Sequence, residues 1–197
     1  MVNMIKVKHK SNLSALKKSI ELLGKSRVYV GIPAENASRD NGNDINNAEL
    51  LYIQTHGVRK KSMREEMQLA LNEGKAYSKA YEMYIKSHGS PLWHVPPRPV
   101  IEPAINDNKK EIAKRLIAAY GKAMENIYAG NSMQTAMQHL EAVGMYAQNI
   151  VRAWFTNPNN GWASNSPLTI AKKGSSNPLI DTGEMRKSIT YVVKSDE

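Results

Sequence analysis

The longest stretch of helical periodicity lies at residues 107–155, which read DNKKEIAKRLIAAYGKAMENIYAGNSMQTAMQHLEAVGMYAQNIVRAWF. Apolar side chains recur there three and four residues apart, which is the spacing of one face of an α-helix. The pattern predicts one helix from Asp107 to about Ala129 and another from Met133 to Phe155. A short link through Gly130 favours an antiparallel pair. The repeating positions are Ile112, Leu116, Tyr120, Ala123 and Ile127, then Met137, Leu140, Ala147, Val151 and Trp154.

Segments near both ends of the chain predict strands. Met4 to Lys10 alternates strictly with lysine, Arg27 to Pro33 is rich in β-branched and aromatic residues, and Ile189 to Val193 alternates again. Strands at both ends that enclose helices indicate an α+β fold. We expect a largely antiparallel sheet, formed by the N- and C-terminal strands and packed against the helix pair.

Two shorter helices are predicted before residue 58. Leu13 to Leu23 carries an amphipathic pattern that Gly24 is placed to end. Asn46 or Asn47 can cap a second helix, which Gly57 should stop.

Residues 59–95 resemble a helical insertion into this domain. Ser62 and Glu65 have the spacing of a capping box, and one apolar stripe follows, with Gly74 as the point where a long helix would break. The stripe consists of Met63, Met67, Leu71, Tyr77, Tyr81 and Tyr84. Tyrosines in such a row could stack on bases, but at helical spacing they more often belong to a core or an interface.

Two segments read as connections. Five prolines between Pro91 and Pro103 predict a rigid extended connector, because each ring fixes φ and restricts the preceding residue. Residues 156–178 are rich in Asn, Ser, Gly and Pro, and they predict a flexible loop that is ordered on assembly. Trp162 is its one large hydrophobic side chain and hence its expected anchor on a partner.

Composition is that of a soluble protein, and the whole chain, 1–197, is expected to form a single assembly domain. Hydrophobic residues make up 41% and charged residues 23%, and no apolar run approaches the roughly 20 residues of a membrane helix. The N-terminus lacks the apolar stretch of a signal peptide, so we expect the protein in the cytosol where it is made. Without cysteine, disulfides, thiolate metal sites and cysteine nucleophiles are excluded.

The formal charge is +9, and much of the excess is N-terminal. From Met1 to Pro33, seven Lys and Arg residues stand against one Glu, whereas one Arg stands against four acidic residues from Ala34 to Val58. Such a cluster fits contact with DNA or with an acidic partner, or a solvated face that protects a sheet edge. The candidate contacts are Lys6, Lys8, Lys10, Lys17 and Lys18.

Catalytic signatures have little support. Leu179-Ile180-Asp181-Thr182-Gly183 matches the motif of aspartic proteases, but those enzymes need two such carboxylates, and only fourteen residues follow Gly183. The alternative is that Asp181 and Thr182 cap and turn the chain before its last strand. Neither a histidine pair at metal-ligand spacing nor a phosphate-binding glycine motif is present, so no cofactor or metal is expected.

Three segments, taken in order, resemble the tail-completion and head-to-tail joining proteins of tailed bacteriophages. The first is Arg27 to Pro33 followed by Asn47 to Gly57, although His56 stands where the family usually has an aromatic residue. The second is Val95 to Ala104, VPPRPVIEPA, in which Val100 replaces the usual Phe. The third is Ser166 to Gly174 followed by Pro178 to Ile189, and it includes the Asp-Thr-Gly without implying catalysis.

The resemblance implies a non-enzymatic virion protein that assembles with copies of itself, commonly as a ring of six, around the DNA channel. Its expected neighbours are the tail tube and head connector proteins, with packaged DNA as a further contact. Trp162, Tyr77, Tyr81 and Arg98 are the interface candidates. A basic nucleic-acid-binding module is the alternative.

Overall fold

The computed structural model describes residues 13–39, 45–58, 61–88 and 95–195. The described chain is α+β and mostly helical, with a small antiparallel sheet of two strands. This confirms the predicted class. The predicted strand at Met4 to Lys10 lies outside the described residues.

The elements follow the predicted order, with additions in the C-terminal third. They are α1 (Leu13–Lys25), β1 (Ser26–Gly31), a 3-10 turn (Ala34–Asn36), α2 (Asn47–His56), α3 (Lys61–Asn72), α4 (Tyr77–His88), α5 (Ile101–Asp107), α6 (Lys109–Tyr128), α7 (Met133–Trp154), a second 3-10 turn (Pro158–Asn160), α8 (Pro167–Lys173), α9 (Glu184–Ser188) and β2 (Thr190–Ser195). No helix in these ranges is both long and apolar enough to cross a membrane.

The chain forms two compact units, and the first contains residues 1–29, 110–144 and 192–197. Its core lies where α1, α6 and the first part of α7 meet. The buried side chains are Leu23, Ala119, Ala123, Ile127, Ala136, Leu140 and Val143. Several of these are alanines, which let the helices approach closely. Ser26 is fully buried, and its carbonyl accepts a hydrogen bond of 2.9 Å from the hydroxyl of Tyr120.

The second unit contains residues 30–109 and 145–191. Its core is larger and combines aliphatic and aromatic side chains from β1, α2, α5, α7 and α9 and from the segments beside them. The buried members are Leu51, Val100, Ala104, Val151, Trp154, Phe155, Met185 and Ile189. Because this unit takes in the predicted connector, α2 and most of the C-terminal third, it gathers all three family-like segments except the first residues of β1. The single domain predicted for 1–197 stays a prediction.

Helix α2 shows how local sequence sets the boundaries of an element. Asn46 and Glu49 form a reciprocal capping box, and Gly57 ends the helix at φ 69° and ψ 172°. Val58 then pairs with Val95 in an isolated antiparallel bridge. Gly57 lies so close to this bridge that a Cβ there would be 2.5 Å from the carbonyl oxygen of Val95.

The predicted insertion forms two helices, α3 and α4, separated at Gly74, where φ is 79°. Met63, Met67, Ala70 and Ala80 form its buried cluster. One prediction here is wrong: Ser62 is not an N-cap, because α3 already includes Lys61.

Two further predictions need correction. The extended connector ends before Ile101, and Pro103 lies in the first turn of α5. Proline is tolerated there because the N–H groups of the first turn have no acceptor within the helix, so the missing N–H breaks no hydrogen bond. The segment 156–178 is not simply a loop, since it contains α8. Ser166 caps α8 through the amide of Thr169, Pro167 is its first residue, and Gly174 ends it with φ 67°.

Candidate functional site

A cavity of about 480 Å³ in the second unit brings together three of the four predicted interface residues. Tyr77, Tyr81 and Arg98 lie on its wall although they come from two distant parts of the sequence. The remaining lining residues are Gln54, Ser78, Val95, Pro96, Ala163, Ser164, Asn165, Ser166 and Thr169. The wall is therefore a mixture of aromatic rings, short aliphatic groups, hydroxyls and one cation.

Arg98 is the most unusual residue of this wall, because it is a charged side chain with only 7% exposure. Its Nε and Nη2 donate to the carbonyl oxygen of Ala163 at 3.2 and 2.9 Å. Nη2 also lies 3.4 Å from Oδ1 of Asn165. Arg98 thus holds residues 163–165 in place, since donors to backbone carbonyls replace the water that these groups lose on burial.

No carboxylate among the described residues forms an ion pair with Arg98. Its Nη1 forms no hydrogen bond with any described residue. Burial lowers the pKa of Arg98, and the nearby Tyr77 opposes that change. The guanidinium stays cationic at neutral pH because its ordinary pKa lies so high.

Gln54 is a second polar group of the wall, and sequence reasoning did not identify it. Its backbone oxygen accepts a hydrogen bond of 2.7 Å from the amide of Arg98. Its side-chain Oε1 is buried and has no hydrogen-bond partner among the described residues. A buried acceptor left without a donor costs about 1 to 3 kcal/mol, so it is rare in a well-packed protein.

Tyr77 and Tyr81 form the aromatic part of the wall. They are one turn apart on α4, and their rings stack with centroids 6.2 Å apart and an interplanar angle of 7°. Both also pack against the cluster of Met63 and Met67. The tyrosine row is thus partly core, as the helical spacing favoured, and partly cavity wall.

Trp162, the fourth interface candidate, is placed differently from the prediction. It is half-buried against the core of the second unit, and its ring meets that of Phe155 edge-on at 6.0 Å. Its indole Nε1 donates to the carbonyl of Pro99 at 3.0 Å. The apolar area of Trp162 and its indole N–H thus both have partners within the chain, and its role as an anchor on another protein stays a prediction.

Asn47 is a buried polar residue that was read only as a possible cap. Its Nδ2 donates to the carbonyl of Ser38 at 3.0 Å and to Oγ of Ser188 at 3.0 Å. Nδ2 also lies 3.4 Å from Oε1 of Glu184. Asn47 thereby joins α2 to α9, and a periodicity analysis had no means of detecting this contact.

Two of the five lysines predicted to contact DNA or an acidic partner lie within the described residues. Lys17 and Lys18 are exposed on α1 of the first unit, whereas Lys6, Lys8 and Lys10 lie outside the described residues. Exposed lysines on a helix are compatible with contact to DNA or an acidic surface and equally with a solvated face.

Asp181 lies in a turn and is exposed. The amide of Glu184 donates to Oγ1 of Thr182 at 3.3 Å, so the hydroxyl rather than the carboxylate caps the turn. Burial lowers the pKa of Lys173, an effect that Asp181 opposes and Arg98 reinforces. Within the described residues, no group of three or more acidic or histidine side chains could hold a metal ion.

We expect Asp181→Asn to leave both the fold and any polypeptide processing unchanged. The exposed carboxylate contributes only screened attraction to Lys173, which is worth at most about 1 kcal/mol. Thermal unfolding and mass spectrometry of proteins co-expressed with the variant are the measurements. Loss of a specific cleavage product would instead indicate that the Asp-Thr-Gly sequence is catalytic.

No protein-family model, no curated protein and no solved structure matches this chain.

Proposed function

We propose that this chain is a non-enzymatic structural protein of a tailed-phage particle, which completes the tail or joins it to the head. It would assemble as a ring around the DNA channel, with the tail tube and head connector proteins as neighbours. In this proposal, the N-terminal strand extends the sheet, and α3 with α4 is an insertion that contacts a neighbouring subunit.

The observation that carries the proposal is the meeting of the three family-like segments. Asn47 of the first segment is hydrogen bonded to Ser188 of the third. Arg98 of the second donates to the carbonyl oxygens of Ala163 and Ser164, which lie two and three residues before the third. Hydrogen bonds thus link parts of the chain that are more than forty residues apart in sequence. This supports the interpretation that the three segments form one module and are not three chance matches.

The surface of the second unit also suits assembly. Leu168 on α8 is 77% exposed, and Leu69 and Tyr52 are exposed to a similar degree. Single exposed apolar residues are common, but α8 belongs to the third family-like segment and presents both Leu168 and Ile170. A partner that covers α8 would bury this area.

Light scattering combined with size-exclusion chromatography tests the proposal. A ring gives a mass that is a multiple of the 22.0 kDa chain, with annular particles in electron micrographs. The ring is expected either for the chain alone or on mixing with the tail tube protein. Leu168→Asp, on the exposed face of α8, should lower the assembled fraction, whereas the equally exposed Ile117→Asp on α6 is the matched control.

The alternative, a nucleic-acid-binding module, predicts different data. A chain that stays monomeric with the tail tube protein and binds DNA with an affinity that falls steeply with salt would favour it and would contradict the ring.

A further inference from the structure

We propose that the outward face of β1 and β2 in the first unit binds the phosphodiester backbone of duplex DNA. The face is formed by Arg27 and Tyr29 of β1 and by Val192 and Lys194 of β2. The inference names the surface that meets DNA, and it rests on the proposed function only for packaged DNA as the source of the duplex. Its chemistry can be tested on the isolated chain.

Hydrogen bonding and packing distinguish the two faces of this sheet. The hydroxyls of Ser26 and Ser195 meet at 2.9 Å, so these residues are neighbours on one face of the antiparallel pair. Val28 and Val193 lie on the same face and pack against the core of the first unit. Because successive side chains of a strand point to opposite faces, the four residues named above share the outward face. Tyr29 there is 52% exposed.

The first argument is charge. Pairing of Ser26 with Ser195 sets Arg27 beside Lys194 across the strands, and both side chains are exposed. Cβ atoms of such neighbours lie about 5 Å apart, and like charges placed in this way repel each other. Neither cation forms an ion pair with a described residue, and Nη1 of Arg27 donates only to neutral carbonyl oxygens. A polyanion that lies across both side chains would relieve the repulsion.

The second argument is the balance of hydrogen-bond donors and acceptors. The guanidinium of Arg27 and the ammonium of Lys194 only donate, and the hydroxyl of Tyr29 can donate as well. All three groups are of the kinds that proteins use to contact DNA phosphates. Phosphate oxygens only accept, whereas an acidic peptide would add an N–H donor at every residue except proline. The outward face therefore matches the backbone of a nucleic acid better than it matches an acidic peptide.

The third argument distinguishes a duplex from a single strand. Sites for single strands stack successive bases on aromatic side chains. Tyr29 is the one aromatic residue of the outward face, and Val192 across from it has no ring to continue a stack. Contacts to the phosphates of a duplex require no stacking, because its bases are already paired. The two adjacent cations therefore fit the duplex.

Fluorescence anisotropy of the full chain with a labelled duplex oligonucleotide, over a series of salt concentrations, tests the proposal. We expect Lys194→Gln to weaken binding equally for all duplex sequences. It should also reduce the slope of log affinity against log salt by about 0.9, the value for one lost phosphate contact. Lys194 has no side-chain contact to lose among the described residues, so this variant should fold. Arg27→Gln is the second variant and should reduce the slope by the same amount.

Lys114→Gln is the matched control. Lys114 is exposed on α6 in the same unit, outside the outward face, and the change removes the same charge. The slope should therefore stay at the wild-type value. Equal effects of Lys114→Gln and Lys194→Gln would overturn the proposal, because binding would then depend on net charge alone. Failure of the wild type to bind duplex at low salt would overturn it as well.

Two competing probes and one further variant complete the test. Tighter binding of a single-stranded oligonucleotide or of polyglutamate than of the duplex would overturn the proposal. Asp196→Asn with Glu197→Gln, at positions outside the described residues, should not weaken duplex binding, since negative charge is removed; weaker binding would contradict the proposal. Light scattering on the same samples separates the two ideas. A monomer that binds the duplex through Lys194 would keep this inference and remove the ring, while a ring without duplex binding would do the reverse.

Discussion

Gly57→Ala is expected to lower the free energy of unfolding by about 3 kcal/mol or more. At φ 69° and ψ 172° the backbone lies in a region that is essentially restricted to glycine, where another residue costs on the order of 1 to 3 kcal/mol. The added Cβ would also lie 2.5 Å from the oxygen of Val95 and 2.8 Å from the nitrogen of Pro97. These are backbone atoms flanking the bridge between Val58 and Val95, so they cannot rotate away as a side chain would.

Chemical denaturation of the wild type and the variant measures the effect. Gly121→Ala is the control, because Gly121 lies within α6 and a Cβ there meets no atom within 4 Å. That change should raise stability by up to about 1 kcal/mol, as expected for replacing an interior helical glycine. If Gly57→Ala is as stable as the wild type, the close contact between Gly57 and the backbone of Val95 and Pro97 is contradicted.

Trp162→Ala is expected to destabilise the isolated chain by about 3 kcal/mol, within the range for truncating a large aromatic residue in a core. The variant loses the edge-on contact with Phe155 and the hydrogen bond from Nε1 to the carbonyl of Pro99. That carbonyl would be left without this donor, which adds to the loss of apolar contact.

Trp162→Phe separates the two contributions, since it keeps an aromatic ring but removes the N–H donor. It should cost about 1 to 2 kcal/mol, and denaturation curves of both variants provide the comparison. If Trp162→Ala unfolds at the same denaturant concentration as the wild type while weakening assembly, Trp162 is an interface anchor after all, and its packing against Phe155 contributes little.

Helices and strands were predicted correctly where a few neighbouring residues both form the sequence pattern and determine the local structure. The capping box of Asn46 and Glu49 and the positive φ of Gly57 fix both ends of α2. The long helices α6 and α7 follow from periodicity sustained over many turns, and their predicted ends lie within two residues of the observed ones.

Errors arose where one residue type has two possible roles. In a polar segment, Ser166, Pro167 and Gly174 are typical of a loop. In the structure they are the N-cap, the first residue and the C-cap of α8. Pro103 was expected to prolong the extended connector, whereas proline is equally suited to a first helical turn. The identity of the residues does not distinguish these roles, because the choice depends on what the segment packs against.

The sequence singled out three residues that the structure brings to one cavity wall, namely Tyr77, Tyr81 and Arg98. Their role in an interface stays a prediction. Gln54 and Asn47 were missed as site and core residues because their roles depend on partners more than forty positions away. Trp162 was judged by the polarity of its neighbours in sequence, although its neighbours in space include Phe155 and Pro99.

The way Arg98 is held has a consequence for kinetics. Its backbone amide donates to the carbonyl of Gln54 and its side chain donates to the carbonyl of Ala163, so one residue of the proline segment is tied both to the end of α2 and to residues 163–165. Local opening of residues 163–165 would leave a buried guanidinium short of acceptors, and separation of the end of α2 would break the backbone hydrogen bond of the same residue. Separate opening is therefore costly, and the fluctuations of these segments should be cooperative. The walls of the cavity should consequently keep their spacing as the chain fluctuates.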